Sequence, residues 1–158
     1  NDKGLTMVAA PTVFMEFNGA SDDQGLAAAQ EICEQDGAIS FEAASGLEQR
    51  NRLWEARHHT YESLLRTHPG MAHLIVDVCV PISRYPEIVA FSNDALLEHN
   101  LLGYKFGHAG DGNLHINIIC DPNQEEFIDR ARRVNALIVE QAIDLEGTAT
   151  GEHGVGIG

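Results

Sequence analysis

The sequence predicts an α+β domain in which helices cover one face of a sheet. Segments with strand and helix patterns alternate along the 158 residues, and this order is typical of helices packed on a sheet. The clearest strands carry apolar side chains at every second position, which gives each strand one apolar face. Because 44% of the residues are hydrophobic, the chain can build one core, and we expect a single domain over residues 1–158.

The first half of the chain is predicted to form two short strands and two helices. Residues 12–17 are rich in β-branched and aromatic side chains and are followed by Asn-Gly, which favours a strand and a turn. A helix is expected from Ser21, whose hydroxyl can cap free backbone N–H groups, to about Gln35. Residues 39–41 are predicted to form a second strand. A long helix over residues 46–67 should end before the His-Pro-Gly sequence.

The second half is predicted to contain the main strands of the sheet. A strand over residues 72–80 ends at a proline, and a helix over residues 84–98 follows it. Another strand begins near Leu101, breaks at a run of glycines and resumes at Leu114. The last helix is expected over residues 124–145.

Both main strands have one apolar face and one face with chemically versatile side chains. In the first of them, positions 74, 76, 78 and 80 hold Leu or Val, whereas Ile75, Asp77 and Cys79 point the other way. In the second, His115 and Asn117 lie opposite the apolar positions. One face of the sheet is therefore predicted to form the core. The other face is predicted to carry chemistry and to need cover from another element.

The charge of the chain argues against several classes of partner. There are 10 Lys and Arg against 24 Asp and Glu, so the formal net charge is −14. Nucleic-acid-binding proteins carry basic patches, and anionic lipids repel acidic surfaces, so neither partner is expected. The sequence has no apolar stretch of membrane-spanning length, and its first residues lack a basic region followed by an apolar run, so we expect neither a membrane span nor a signal peptide in this segment. Cys33, Cys79 and Cys120 form no CxxC pair, which favours free thiols in a reducing compartment.

Two histidines near the C-terminus suggest a metal site. His108 and His115 flank a glycine-rich stretch, and their spacing would put them on opposite faces of a straight strand. A turn or bulge at residues 110–112 can reset that phase, so that both imidazoles reach one metal. The alternative is a pair of ordinary histidines beside a turn.

A second glycine-rich stretch contains Glu152 and His153. Adjacent residues cannot both face one point from a regular strand, but the surrounding glycines relax that restriction. Glu152 can complete a set of two histidines and one carboxylate with open coordination positions. His153 would then be able to accept a proton from a metal-bound group. The alternative is a glycine-rich turn that carries a charged pair.

Arg57 lies within the apolar stripe of the long predicted helix. A guanidinium in apolar surroundings needs an anionic partner, and a substrate carboxylate can bind it through two parallel hydrogen bonds. The simpler alternative is an internal salt bridge, or a side chain that extends along the helix to the surface.

Two motifs resemble signatures in the C-terminal part of the flavin-linked D-2-hydroxyacid dehydrogenases. They are Gly107–Asn117, GHAGDGNLHIN, and Thr150–Gly156, TGEHGVG. Leu53–Arg57, LWEAR, and Asp77–Ser83, DVCVPIS, are similar to the same family. The likeness is nearest to its D-lactate dehydrogenase and glycolate oxidase branch.

The resemblance implies a ferredoxin-like cap domain with a mostly antiparallel sheet, next to a separate domain that binds FAD. It implies a divalent metal, zinc, manganese or iron, held by His108, His115 and Glu152. It also implies that His153 is the catalytic base, that Arg57 holds the substrate carboxylate, and that Asn117 lies beside the substrate.

The same resemblance implies an enzyme that oxidises a D-2-hydroxyacid, D-lactate or a glycolate-like acid, while hydride passes to FAD. The expected partners are this small substrate, the chain's own flavin domain, and an electron acceptor such as a quinone or a cytochrome. A homo-oligomer is left open. The expected location is cytoplasmic or peripheral at the inner membrane, and mitochondrial in a eukaryote.

The chain departs from the family pattern in two respects. Relatives that act on 2-hydroxyglutarate have a lysine two residues before the aspartate of this strand, where the present chain has Ile75. We therefore expect a monocarboxylate substrate. Nothing in the chain matches a flavin domain, and the sequence ends inside the second motif. We expect a fragment without the flavin domain and the C-terminal tail, which is inactive alone.

Two other functions fit the same residues. A metal-dependent hydrolase also needs two histidines, a carboxylate, an open coordination position and a base, because these activate water. A non-catalytic interaction module would use the polar sheet face to bind a partner chain. A flavin domain elsewhere in the protein would exclude the hydrolase.

Overall fold

The computed structural model describes residues 10–18 and 22–154, which contain five α-helices and three β-strands. In chain order these are α1 (Asp22–Gln35), α2 (Leu47–His58), α3 (Thr60–Thr67), β1 (Ala72–Cys79), α4 (Tyr85–Glu98), β2 (Leu102–His108), β3 (Asn113–Cys120) and α5 (Glu125–Asp144). A 3₁₀ turn, Ile82–Arg84, precedes α4, and a second one, Ala109–Asp111, joins β2 to β3. The chain divides after Leu64 into two units.

The second unit, residues 65–158, is built on an antiparallel sheet with the strand order β1-β3-β2. Every residue of the central strand β3 is buried. Leu114 and Ile116 of β3 lie opposite Val78 and Val76 of β1, and all four side chains are at most 1% exposed. These apolar side chains point to the same side of the sheet, as the alternation along each strand requires.

Helices α4 and α5 cover this apolar face. The buried residues of α5, spaced by three and four positions, are Ala131, Val134, Ile138 and Ala142. Such a stripe lies along one side of a helix and packs onto the sheet. Full burial of a Val or Ile side chain contributes about 1.5–3 kcal/mol. The core of the second unit therefore lies between these two helices and the sheet.

In the first unit, residues 1–64, the segment 10–18 lies against α2. The rings of Phe14 and Trp54 are 6.3 Å apart between centroids. Arg50 donates two parallel hydrogen bonds to the Glu16 carboxylate, at 2.7 and 3.0 Å. Side-chain contacts rather than strand pairing thus hold this segment to the helix.

Much of the predicted fold is confirmed. The α+β class, the antiparallel sheet and the helices on one face are all present. Helices α1, α4 and α5 and strand β1 match their predicted ranges to within about two residues. The predicted cap at Ser21 lies outside the described residues.

Three of the expected elements are wrong. Residues 12–17 and 39–41 form no strand, because strand propensity alone does not create a strand where no neighbour pairs with the backbone. Ile39 is 75% exposed. The long helix over residues 46–67 is two helices, α2 and α3, interrupted at His59. Helical hydrogen bonds continue on both sides of that residue, from His59 to Glu55 and from Ser63 to His59, so the interruption is short.

Among the helices of residues 22–154, none combines the length and the apolar character that a bilayer crossing requires.

Candidate functional site

The sheet face opposite α4 and α5 carries the chemically versatile residues of the second unit. The antiparallel register sets them in three adjacent rows across the strands. These rows are Cys79, Asn113 and His108; Asp77, His115 and Phe106; and Ile75, Asn117 and Tyr104. Residues from the two glycine-rich motifs meet on this face.

The connection between β2 and β3 brings His108 and His115 together. The two strands form a hairpin, and the 3₁₀ turn with Gly112 reverses the chain between them. Gly112 has a φ of 76°, and a Cβ there would lie 1.8 Å from the carbonyl oxygen of Val80, so only glycine fits. The two imidazole rings are perpendicular, with centroids 6.0 Å apart. The phase reset predicted from the sequence therefore comes from a turn between strands.

The segment after α5 returns to the end of β1. Thr148 and Cys79 exchange backbone hydrogen bonds, of 2.8 Å from the Thr148 N–H and 3.4 Å from the Cys79 N–H. The Thr148 hydroxyl also donates to the carbonyl of Thr150, at 2.8 Å. This pairing places residues 150–154 on the sheet face that carries His115. We call these residues the loop 150–154.

The carboxylate of Asp77 is the main acceptor for the loop 150–154. Its Oδ2 atom accepts hydrogen bonds from the backbone N–H groups of Gly151, Glu152 and His153, at 3.0, 2.8 and 2.8 Å. It also accepts from the hydroxyl of Thr150, at 3.1 Å. Burial would raise the pKa of Asp77, but these hydrogen bonds outweigh it and hold the pKa well below its usual range. Asp77 is thus an anion at neutral pH.

The Glu152 carboxylate lies among three histidines. Its Oε1 atom is 2.7 Å from Nε2 of His115, 3.8 Å from Nε2 of His108 and 3.9 Å from Nε2 of His153. The ligand atoms of His108, His115 and Glu152 all lie within 4.8 Å of one another. Two imidazole nitrogens and one carboxylate oxygen at this spacing match the donor set of a divalent transition-metal site. About half of the His108, Glu152 and His153 side-chain surface is exposed, which leaves the site open on one side.

A second set, Asp77, His115 and His153, has the same spacing. In that set, however, Oδ2 of Asp77 already accepts four hydrogen bonds, and Oδ1 accepts one from Asn113 at 2.8 Å. The Glu152 oxygen faces imidazole nitrogens instead. The set of His108, His115 and Glu152 therefore fits a cation better.

His115 is the buried member of this set. Its Nδ1 atom is 3.1 Å from Oδ1 of Asp77, although the geometry is not that of an aligned hydrogen bond. Burial lowers the pKa of the His115 imidazole, and the nearby Asp77 and Glu152 carboxylates only partly oppose that shift. The neutral imidazole is the form that binds metals. A carboxylate beside the second nitrogen is also the usual way in which a ligating histidine is oriented.

Asn117 lies one row away from His115 on the same face, next to Ile75 and Tyr104. It is 1% exposed, and its amide oxygen accepts no hydrogen bond from the described residues. A buried polar atom without a partner is costly, so this amide is suited to a ligand. Ile75 is 43% exposed beside it.

Arg57 lies on α2, in the first unit, where the residue is half-buried. Its predicted role toward a substrate carboxylate stays a prediction.

No role in the site was predicted from the sequence for Asp77, Asn113 and Thr150. One signal was present for Asp77, because aspartate is rare inside strands and this one lies in the middle of an apolar β1. The contacts of Asn113 and Thr150 depend on the approach of the loop 150–154, which is distant in sequence from β1.

Comparison with protein families relates the chain to known proteins. Residues 2–158 match the model of the family described as FAD linked oxidases, C-terminal domain. The chain belongs to this family. It is 37% identical over 156 residues to the "Probable D-lactate dehydrogenase, mitochondrial" of Danio rerio, an alignment that covers 98% of this chain and 31% of that protein.

Two further relatives of this FAD linked oxidase domain carry related names. The "D-lactate dehydrogenase [cytochrome], mitochondrial" of Arabidopsis thaliana is 38% identical over 160 residues, which cover all of this chain and 28% of that protein. The "Glycolate oxidase subunit GlcD" of Bacillus subtilis is 34% identical over 155 residues, which cover 97% of this chain and 33% of that protein. The chain thus spans about a third of the length of these relatives.

Proposed function

We propose that this domain provides the metal-binding and substrate-orienting groups of a flavin-dependent dehydrogenase. The reaction is the oxidation of a D-2-hydroxyacid, D-lactate or a glycolate-like acid, to the 2-oxoacid. The observation that carries the proposal is the convergence of His108, His115 and Glu152 on one face of the sheet. The family membership supports the flavin, and the names of the relatives support the substrate class.

His108, His115 and Glu152 would hold a divalent cation, zinc, manganese or iron, since their donor set suits all three. Such a cation, when bound, lowers the pKa of an α-hydroxyl group. His115 offers a neutral, oriented imidazole, because burial keeps its pKa low and Asp77 lies at its second nitrogen. The half-exposed His108 and Glu152 leave one side of the site accessible to a substrate.

His153 is the base in this proposal. Its ring centroid is 5.0 Å from that of His115, and its side chain is about half exposed, so it lies beside the metal ligands and remains accessible. It accepts the proton of the substrate hydroxyl while the hydride on the α-carbon passes to FAD. The substrate would lose its hydroxyl proton to His153 and a hydride from the α-carbon, so that a carbonyl replaces the alcohol; FAD, when bound, would supply the two-electron acceptor.

Two residues bind the substrate in this account. Asn117 offers a buried amide one row from His115. The role of Arg57 toward the substrate carboxylate is taken from the family resemblance, and a guanidinium can bind a carboxylate through two parallel hydrogen bonds. Ile75, exposed beside Asn117, provides an apolar wall that favours a monocarboxylate over a dicarboxylate. The electron acceptor of the enzyme would be a quinone or a cytochrome. The relative from Arabidopsis thaliana has the word cytochrome in its name.

The test is anaerobic reduction of the flavin in the full-length protein by D-lactate, followed by absorbance. We expect His153→Asn to slow flavin reduction by about 10²–10⁴-fold, because a positioned base contributes that much, while the metal content is unchanged. His99→Gln is the matched control, since this histidine lies at the end of α4, on the other side of the sheet. A full-length protein that contains no flavin, or that D-2-hydroxyacids do not reduce, contradicts the proposal.

A further inference from the structure

One carboxylate, that of Asp77, links all the elements of the site. Asp77 is 8% exposed and lies in the middle of β1. Oδ2 accepts four hydrogen bonds from the loop 150–154, and Oδ1 faces the Asn113 amide and the His115 ring. Three of the four loop donors are consecutive backbone N–H groups, which an ionised carboxylate binds strongly.

These contacts determine where two functional side chains lie. Glu152 and His153 are held through their own N–H groups, so their backbone cannot leave β1 while the bonds to Asp77 persist. With the backbone in this position, the Glu152 carboxylate reaches the His115 ring at 2.7 Å. Thr150 adds a second tie, because its hydroxyl donates to Asp77 and accepts from the N–H of Gly154 at 2.8 Å.

Close packing at Gly151 supports the same role. A Cβ at this position would lie 1.8 Å from Nδ2 of Asn113 and 2.7 Å from Oδ1 of Asp77. The loop therefore approaches the strands so closely that no side chain fits between them. The backbone at Gly151 thus packs directly against the Asp77 carboxylate and the Asn113 amide.

We propose that Asp77 is the positioning residue of this site: its carboxylate fastens the loop 150–154 to β1 and so sets Glu152 and His153 beside His115. Asp77 acts through these residues and contacts no reacting atom. Its side chain lies on the face opposite the apolar core, so its role is local. The consequence for metal binding rests on the proposed function, whereas the fastening of the loop does not.

The direct test is amide hydrogen exchange on the metal-free, full-length protein. Asp77→Asn keeps the shape of the side chain, but its neutral oxygen accepts hydrogen bonds about half as strong. We expect exchange of the Gly151, Glu152 and His153 amides to become at least about tenfold faster, while the core amides of β3 are unaffected. Asp144→Asn, at the exposed end of α5, is the control and should change nothing in the loop. Unchanged exchange at these three amides, or faster exchange throughout β3, overturns the inference.

The second test is the affinity for Zn²⁺, measured by competition with a chelating dye. Loss of a group that orients metal ligands typically weakens binding by about 10- to 100-fold, and we expect this of Asp77→Asn. Gly151→Ala should weaken binding in the same way although Asp77 is intact, because the new methyl group lifts the loop. Asp144→Asn, at the exposed end of α5, is again the control and should bind Zn²⁺ as the wild type does.

The two tests separate the inference from the proposed function. If the wild-type protein binds no metal but the Asp77→Asn variant releases the loop, the metal site is wrong and the positioning role stands. If the loop is released and Zn²⁺ affinity is unchanged, Asp77 does not set the ligands, and that part of the inference is overturned.

Discussion

The turn between β2 and β3 offers a quantitative test, through the substitution Gly112→Ala. The φ of 76° at this residue costs a non-glycine residue about 1–2 kcal/mol. The added Cβ would lie 1.8 Å from the Val80 carbonyl oxygen, so the backbone must move. That movement strains the 3.0 Å hydrogen bond from the Val80 N–H to the Gly112 carbonyl, which contributes about 1 kcal/mol. We therefore expect a loss of about 2–3 kcal/mol in the free energy of unfolding.

The assay is denaturant unfolding of the metal-free protein, with Gly110→Ala as the control. Gly110 lies in the same turn, but its φ is not positive and a Cβ there meets nothing within 4 Å, so the control should stay within about 0.5 kcal/mol of the wild type. Gly112→Ala should also weaken Zn²⁺ binding, because the turn sets His108 against His115. A Gly112→Ala variant as stable as the wild type, or an equal loss in both variants, refutes this reasoning.

Three further outcomes are expected. Ile138→Ala should lower the free energy of unfolding by about 2–5 kcal/mol in denaturant unfolding, since this side chain is fully buried. Ile143→Ala on the same helix is the control and should have little effect, because Ile143 is 51% exposed. Similar losses in the two variants would contradict the core described above. Ile75→Lys should raise kcat/KM for D-2-hydroxyglutarate relative to D-lactate by about tenfold or more, because a charge-assisted hydrogen bond contributes about 1.5–3 kcal/mol, and an unchanged ratio would show that Ile75 does not select the substrate. Burial lowers the pKa of His73 in the folded protein, so the unfolded chain binds a proton first as the pH falls below about 6.5, and stability is lost toward acid. Between about pH 7.5 and 5.5, the free energy of unfolding should therefore fall less for His73→Gln than for the wild type. Equal falls would exclude this contribution.

The sequence predicted the second unit better than the first, and packing explains the difference. In β1, β3 and α5, burial on one side imposes the period of two or of three to four that the sequence displays. Residues 12–17 have a strand-like composition, but they bind α2 through Phe14 and Glu16 and form no strand. Composition alone does not identify the partner of such a segment.

The part of the candidate site that could be predicted from the sequence consists of residues in the two glycine-rich motifs. His108, His115, Glu152 and His153 are recognisable from residue type and spacing, and the structure brings these four together. The role of Asp77 was not predictable in this way. It depends on the bridge between Thr148 and Cys79, which brings together two segments about 70 residues apart in the chain.

The most direct test of the account is a divalent-metal titration of the full-length protein after chelation. We expect the wild type to bind one Zn²⁺ or Mn²⁺ per chain, and we expect D-lactate to reduce the flavin only when this metal is bound. Glu152→Gln and His115→Gln should each weaken binding by at least about 100-fold, since each removes a ligand, whereas His99→Gln should not. A wild-type protein that binds no cation, or that binds it equally well without Glu152 and His115, would contradict the central claim.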